Sequence, residues 1–120
     1  MAFESLKIHT VKNPDPREMS EIELKHFPVL EIKRCGDEEN CYVVKVIVGK
    51  YIKHPMDPEH FIQWIELYIN SSLAFRCELT PECTKPVFES VFYLPKNAEI
   101  FAKAKCNKHG VWISKIIYMD

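Results

Sequence analysis

The sequence contains no apolar run approaching the roughly 18 to 20 residues that a membrane-spanning helix needs. It has no excess of positive charge: the net charge is -1, so there is no global basic signature for nucleic acid. Neither a membrane nor a nucleic acid is therefore expected as a partner. No internal repeat and no low-complexity segment occurs. There is no Gly-X-Ser-X-Gly and no persuasively spaced acidic pair, which argues against an ordinary hydrolase. There is no Cys-X-X-Cys. Met1–Lys7 lacks the apolar core of a signal peptide, so a cytoplasmic protein is expected. Glycine is scarce, with 3 residues, Gly36, Gly49 and Gly110.

What is present is an ordinary globular composition over 120 residues, 47% hydrophobic and 28% charged, enough for one domain. Residues 1–22 are polar, are punctuated by Asn13-Pro14-Asp15-Pro16, and read as an irregular arm with a short helix starting near Ser20. Residues 23–120 read as the folded domain. From Phe27 onward the pattern is β. The expected strands are Phe27–Arg34, Cys41–Ile52, Phe61–Ile69, Leu73–Leu79, Val87–Leu94, Ile100–Cys106 and Val111–Tyr118. Tyr42, Val44, Val46 and Val48 share one face, as do Phe61, Ile65, Leu67 and Ile69. Ala98, Ile100, Ala102, Ala104 and Cys106 alternate with Glu99, Lys103 and Lys105, which puts Cys106 on the buried parity. The predicted fold is all-β, an immunoglobulin-like, seven-stranded antiparallel β-sandwich.

The 5 cysteines are an odd number, and a reducing compartment favours free thiols or metal ligands over a disulfide framework. Cys35 with Cys41 and Cys77 with Cys83 form two Cys-X5-Cys pairs, each flanking a predicted turn. Residues facing across a hairpin lie near disulfide distance, but free thiols are the expectation here. Four histidines fall at predicted loops or strand ends: His26, His54, His60 and His109. His54 and His60 bracket Pro55-Met56-Asp57-Pro58-Glu59, whose prolines stiffen the connection. Cys106 and His109 are three apart, within reach of one ion, and Gly110 follows with its wider backbone freedom. Imidazole with thiolate suits zinc, iron, copper or nickel. Four nitrogens and one sulfur fit closed structural zinc poorly and suit a five-coordinate iron with one open position.

Three strings, Gly49-Lys50-Tyr51-Ile52-Lys53-His54-Pro55-Met56, His60-Phe61-Ile62-Gln63-Trp64-Ile65-Glu66-Leu67 and Cys106-Asn107-Lys108-His109-Gly110-Val111-Trp112, resemble superoxide reductases. The likeness is to neelaredoxin and to the iron-centre domain of desulfoferrodoxin, and spans roughly residues 23 to 118. Lys25-His26-Phe27-Pro28 matches the family's first ligand motif. The resemblance implies one iron per chain, with His26, His54, His60 and His109 equatorial and Cys106 axial. It implies reduction of superoxide to hydrogen peroxide, a rubredoxin-like electron donor, and a homodimer or homotetramer. It gives Lys25 a catalytic role, attracting the anion and organising a proton-delivering water. Lys53 and Lys108, each beside a ligand, are expected to add positive field.

The sequence departs from that family at Leu24, where most members carry a glutamate that takes the sixth position in the oxidised resting state. Glu23 is one residue away, and a slip of one points a side chain elsewhere. No carboxylate is therefore expected on the ferric ion. This departure keeps open a non-catalytic metal-binding sandwich as the alternative, while an adhesion module has no need of five such ligands. Trp64 and Trp112 read as core or pocket wall, and His9 has no assigned role.

Overall fold

The computed structural model describes residues 4–10 and 15–120. In chain order the strands are β1 (Ile8–Thr10), β2 (Pro28–Arg34), β3 (Cys41–Val48), β4 (Ile62–Ile69), β5 (Ser72–Glu78), β6 (Val87–Tyr93), β7 (Glu99–Cys106), β8 (Gly110–Ile113) and β9 (Ile117–Tyr118), and the helix α1 (Glu21–His26) precedes β2. They form two sheets: β1-β8-β7-β4-β5 with β9 also on β7, and β2-β3-β6. No helix among the described residues is long and apolar enough to cross a membrane.

The alternation seen in the sequence builds the core. Val44, Val46 and Val48 of β3 pack in one cluster with Ile65 and Leu67 of β4 and Ile100, Ala102, Ala104 and Cys106 of β7. Each fully buried branched side chain of this size contributes about 1.5–3 kcal/mol.

The sandwich expected from the sequence is what forms, with four differences in detail. The arm contributes β1, which pairs with β8 in parallel, so the ladders are not all antiparallel. The expected strand Val111–Tyr118 is broken into β8 and β9. Ser114 interrupts it: its hydroxyl accepts from the Ala102 amide and donates to the Lys115 carbonyl. The strand expected to reach Ile52 stops at Val48, because Gly49 takes φ +77 and turns the chain. A β-bulge between Ile62 and Trp64 shifts the parity of β4, so Ile62, and not Phe61, joins the core.

One cysteine expectation is corrected. Cys35 and Cys41 are joined in a disulfide rather than free. They close the β2–β3 hairpin, where the Cys35 amide donates to the Cys41 carbonyl and the Cα atoms lie 5.2 Å apart, within the range a bridge needs. Cys77 and Cys83 are free thiols, as expected. Of the Asn13–Pro16 loop, Asn13 and Pro14 lie outside the described residues.

Candidate metal centre

The strand pairing brings the start of β2, the end of β3, the start of β4, the end of β7 and the start of β8 to one end of the sandwich. Each delivers or follows a candidate ligand. α1 is fixed by a capping box: Ser20 Oγ accepts from the Glu23 amide at 3.3 Å, and Glu23 Oε1 accepts from the Ser20 amide at 2.8 Å. Such a cap stabilises a helix by about 1 kcal/mol. Pro28 disfavours helical backbone at Phe27, whose ψ is 119, so the helix ends with His26 turned into the protein.

The β3–β4 connection holds His54 and His60. A Cβ on Gly49 would lie 2.6 Å from the His54 amide nitrogen, so only glycine lets this turn close. Asp57 and His60 exchange both backbone hydrogen bonds, at 3.0 Å each, and tie off the loop. The Cys106–Gly110 turn is then clamped to it by Asn107. The Asn107 Oδ1 accepts from the Phe61 amide at 2.9 Å, and its Nδ2 donates to the Glu59 carbonyl at 2.9 Å. Asn107 thus locks together two loops that carry candidate ligands, a role the sequence reading did not give it, although the residue stands inside the quoted string.

All five candidates converge. Ligand atoms of His26, His60, Cys106 and His109 lie within 4.8 Å of one another. His54 Nε2 is 3.1 Å from His26 Nε2, and Cys106 Sγ is 3.7 Å from His109 Nδ1. The tautomers follow from the partners. A carbonyl only accepts, so His26 Nδ1–H donates to the Ile22 carbonyl at 2.8 Å and His54 Nδ1–H to the Pro55 carbonyl at 2.6 Å. In their neutral forms both Nε2 atoms then carry lone pairs, and these face each other. His60 Nε2 is buried with no hydrogen-bond partner. Acceptors aimed at acceptors, beside an orphaned nitrogen, are costly unless a cation sits among them. Two nitrogens about 2.1 Å from one ion, at adjacent positions, lie about 3 Å apart, so the donor set fits a transition metal.

The electrostatics agree. Burial pushes His26 down to about 4 and His54 down to about 3, with neighbouring imidazoles adding to it. Burial also lowers His60 and His109, assisted by the positive charge of Lys108 and Lys25. The imidazoles are therefore neutral and ready to ligate at neutral pH. Burial raises the Cys106 thiol, partly offset by the Lys108 and His109 amides. Its proton must leave when a metal binds.

His54 and Cys106 are sealed at 0% exposure. The opposite side opens into a 320 Å³ depression lined by Glu21, Ile22, Lys25, His26, His60 and His109. Lys25 stands at this mouth, as its expected role requires. Its Nζ is 3.4 Å from Glu21 Oε1, so a carboxylate the sequence reading passed over shares the mouth. Lys53, expected to add to the field, lines a different depression with Met56, Asp57 and Glu82. Its neighbour His54 points inward while the lysine turns out. Trp112 is wall, stacked on His26 at 4.9 Å, whereas Trp64 lies under Arg76.

Residues 18–115 match the model of the Desulfoferrodoxin family. A superoxide reductase of Pyrococcus horikoshii is 39% identical over 101 residues, covering 77% of this chain and 85% of the relative. One from Thermococcus kodakarensis is 35% identical over 101 residues, with the same coverage of 77% and 85%. The solved structure of the superoxide reductase (neelaredoxin) from Ignicoccus hospitalis superposes with a TM-score of 0.75 at 28% identity, covering 94% of each chain. The family match runs unbroken through α1, the His54–His60 connection and the Cys106–Gly110 turn, and the chain belongs to the desulfoferrodoxin family.

Proposed function

We propose that this chain is a superoxide reductase, reducing superoxide to hydrogen peroxide at one iron per chain held by His26, His54, His60, His109 and Cys106. Its curated relatives carry that name. The observation that carries the reading is the pair of inward lone pairs on His26 and His54, 3.1 Å apart, beside the unpartnered His60 nitrogen and a buried thiol. A bound iron would supply one electron to superoxide, which with two protons leaves as peroxide, and an outside one-electron donor would restore Fe(II).

The chain's own residues set the conditions for that chemistry. Cys106, sealed on the core side, places its thiolate away from the mouth, so an incoming anion meets the opposite side. Lys25, His26 and the half-buried His60 and His109 line that side, and the charge of Lys108 reaches His60. Lys25 attracts the anion and holds water that passes on a proton. The structural alternative, a closed metal site with no reaction, gives no account of a mouth lined by a lysine and three of the histidines.

The expectation of no carboxylate on the ferric ion is supported by the capping box, which occupies Glu23. A rubredoxin-like donor and a homodimer or homotetramer belong to the same proposal, and exposed Leu73, Val91 and Tyr93 offer apolar surface for assembly. We also read residues 23–120 as the iron-binding domain and the arm as an addition to it. A cytoplasmic setting is supported by the free thiols and opposed by the Cys35–Cys41 bridge.

The test is the visible spectrum of anaerobically Fe(II)-loaded protein before and after stoichiometric superoxide. A broad ferric-thiolate band that disappears in Cys106→Ser is the expected result. No band, with zinc retained or no metal bound, would overturn the reading.

A further inference from the structure

Nothing in the sequence pattern marks His9, yet the structure builds it into the back of the metal centre. Its ring stacks on Trp112 at 4.0 Å between centroids and 15° between planes. Trp112 in turn stacks on His26 at 4.9 Å and 20°. The three rings form a continuous pile ending on a candidate ligand. His9 Nε2 lies 2.9 Å from the His109 carbonyl and must be the donor, since a carbonyl only accepts. The Trp112 Nε1–H donates to that same oxygen at 3.1 Å. A carbonyl oxygen has two lone pairs, and here both are taken by ring N–H groups.

The backbone beneath is equally constrained. Gly110 adopts φ +86, and a Cβ there would lie 2.2 Å from the Lys7 carbonyl oxygen. The Val111 amide donates to that oxygen at 2.8 Å. The arm thus lies directly on the turn that carries His109. Anchoring the arm alone would need only these backbone bonds. It would not need a ring that donates to a ligand's carbonyl while stacking on the wall of another ligand.

We propose that His9 is a positioning residue for the metal centre: it holds the His109 carbonyl and the Trp112 ring, and through them the imidazoles of His109 and His26, in the arrangement that receives the ion. The proposal rests on the metal-centre reading above. Groups that orient ligands from behind typically change metal affinity by about 10–100-fold when removed. His9 acts through a backbone carbonyl and a stack, so the lower end applies.

The experiment uses the full chain, loaded with Fe(II), as parent, His9→Ala, His9→Phe (ring kept, donor lost) and His9→Gln (donor kept, ring lost). His9 is only partly buried, on the three-residue edge strand β1, so its replacement leaves the side chains of the core cluster in place. Two readouts are taken: the position of the ferric-thiolate band, and the rate of Fe(II) release to a chelator. His9→Ala is expected to release iron about tenfold faster and to shift the band, with His9→Phe and His9→Gln each restoring part of the parental behaviour. Thermal unfolding of the metal-free variants separates arm anchoring from positioning. A lowered midpoint with band and release unchanged overturns the proposal. A parent that binds no metal overturns this proposal and the metal reading together, whereas a loaded parent indistinguishable from His9→Ala overturns this proposal alone.

Discussion

Glu66 and His60 are polar residues on β4 and just before it, and their surroundings differ in kind. Glu66, 6% exposed, lies on the larger sheet with both carboxylate oxygens paired: Tyr68 Oη–H donates at 2.9 Å and Arg76 at 2.6 Å. Arg76 also holds Glu78 and covers Trp64. Everything Glu66 needs is supplied by the protein. His60 Nε2, at the end of the sandwich, is buried with no partner, and the His26 and His54 nitrogens nearby present lone pairs to one another. Both clusters cost desolvation. The first is repaid within the fold, so it is structural. The second is completed only by something absent from the polypeptide, which is why geometry alone points to a cation there.

Removing one ligand should separate the clusters most sharply. His54→Ala is expected to lower iron retention more than about 100-fold, beyond the range for outer partners, while leaving the Glu66–Arg76 pair intact. Iron content after gel filtration measures it. Retained iron would mean His54 is not a ligand.

Acid should act on the histidine cluster through linkage. His26 and His54 are held at about 4 and about 3, below the ordinary histidine value of 6.5. Below 6.5 the unfolded chain binds protons that the folded metal-free protein refuses. Stability is therefore full above 6.5 and falls as the pH drops toward 4, by about 1.4 kcal/mol per pH unit for each imidazole. Denaturant titrations of metal-free protein at several pH values check this, and a flat profile from pH 7 to 4.5 would contradict it.

The satisfied cluster should respond in the opposite way. Arg76→Met leaves the Glu66 carboxylate short of its cation. Breaking a buried pair costs about 3–5 kcal/mol, but Arg76 is 39% exposed and water screens the loss, so roughly 1–2 kcal/mol is expected. Iron loading should be unchanged. The smallest effect belongs to the mouth. Glu21→Gln removes the carboxylate beside Lys25 and should quicken superoxide association a few-fold at low salt, the gain fading as salt screens it. Lys53→Gln, facing a different depression, should leave the rate unaltered.

Much of this was legible in the residues because the governing patterns are local. Period-two alternation places Cys106 on the buried face, the helix is read as starting near Ser20, and short strings carry the candidate ligands. What escaped depends on contacts distant in sequence. β1 is three residues, Ile8, His9 and Thr10, too short for any periodicity, and it exists only because β8 offers an edge. The bulge in β4 is invisible until its register against β7 is set. His9 meets His109 across a separation of 100 residues, and no spacing rule reaches that far. Lys53 shows the converse: adjacency to a candidate ligand in sequence does not put a side chain at the mouth. The Cys35–Cys41 bridge follows from hairpin register, which outweighs a prior drawn from the expected compartment.

The most direct test of the whole account is the product ratio. Fe(II)-loaded protein, kept reduced by a one-electron donor, is given superoxide, and peroxide formed and oxygen released are measured together. The account predicts one peroxide for each superoxide consumed and no oxygen. Half that peroxide, with oxygen evolved, would mean dismutation and would contradict it.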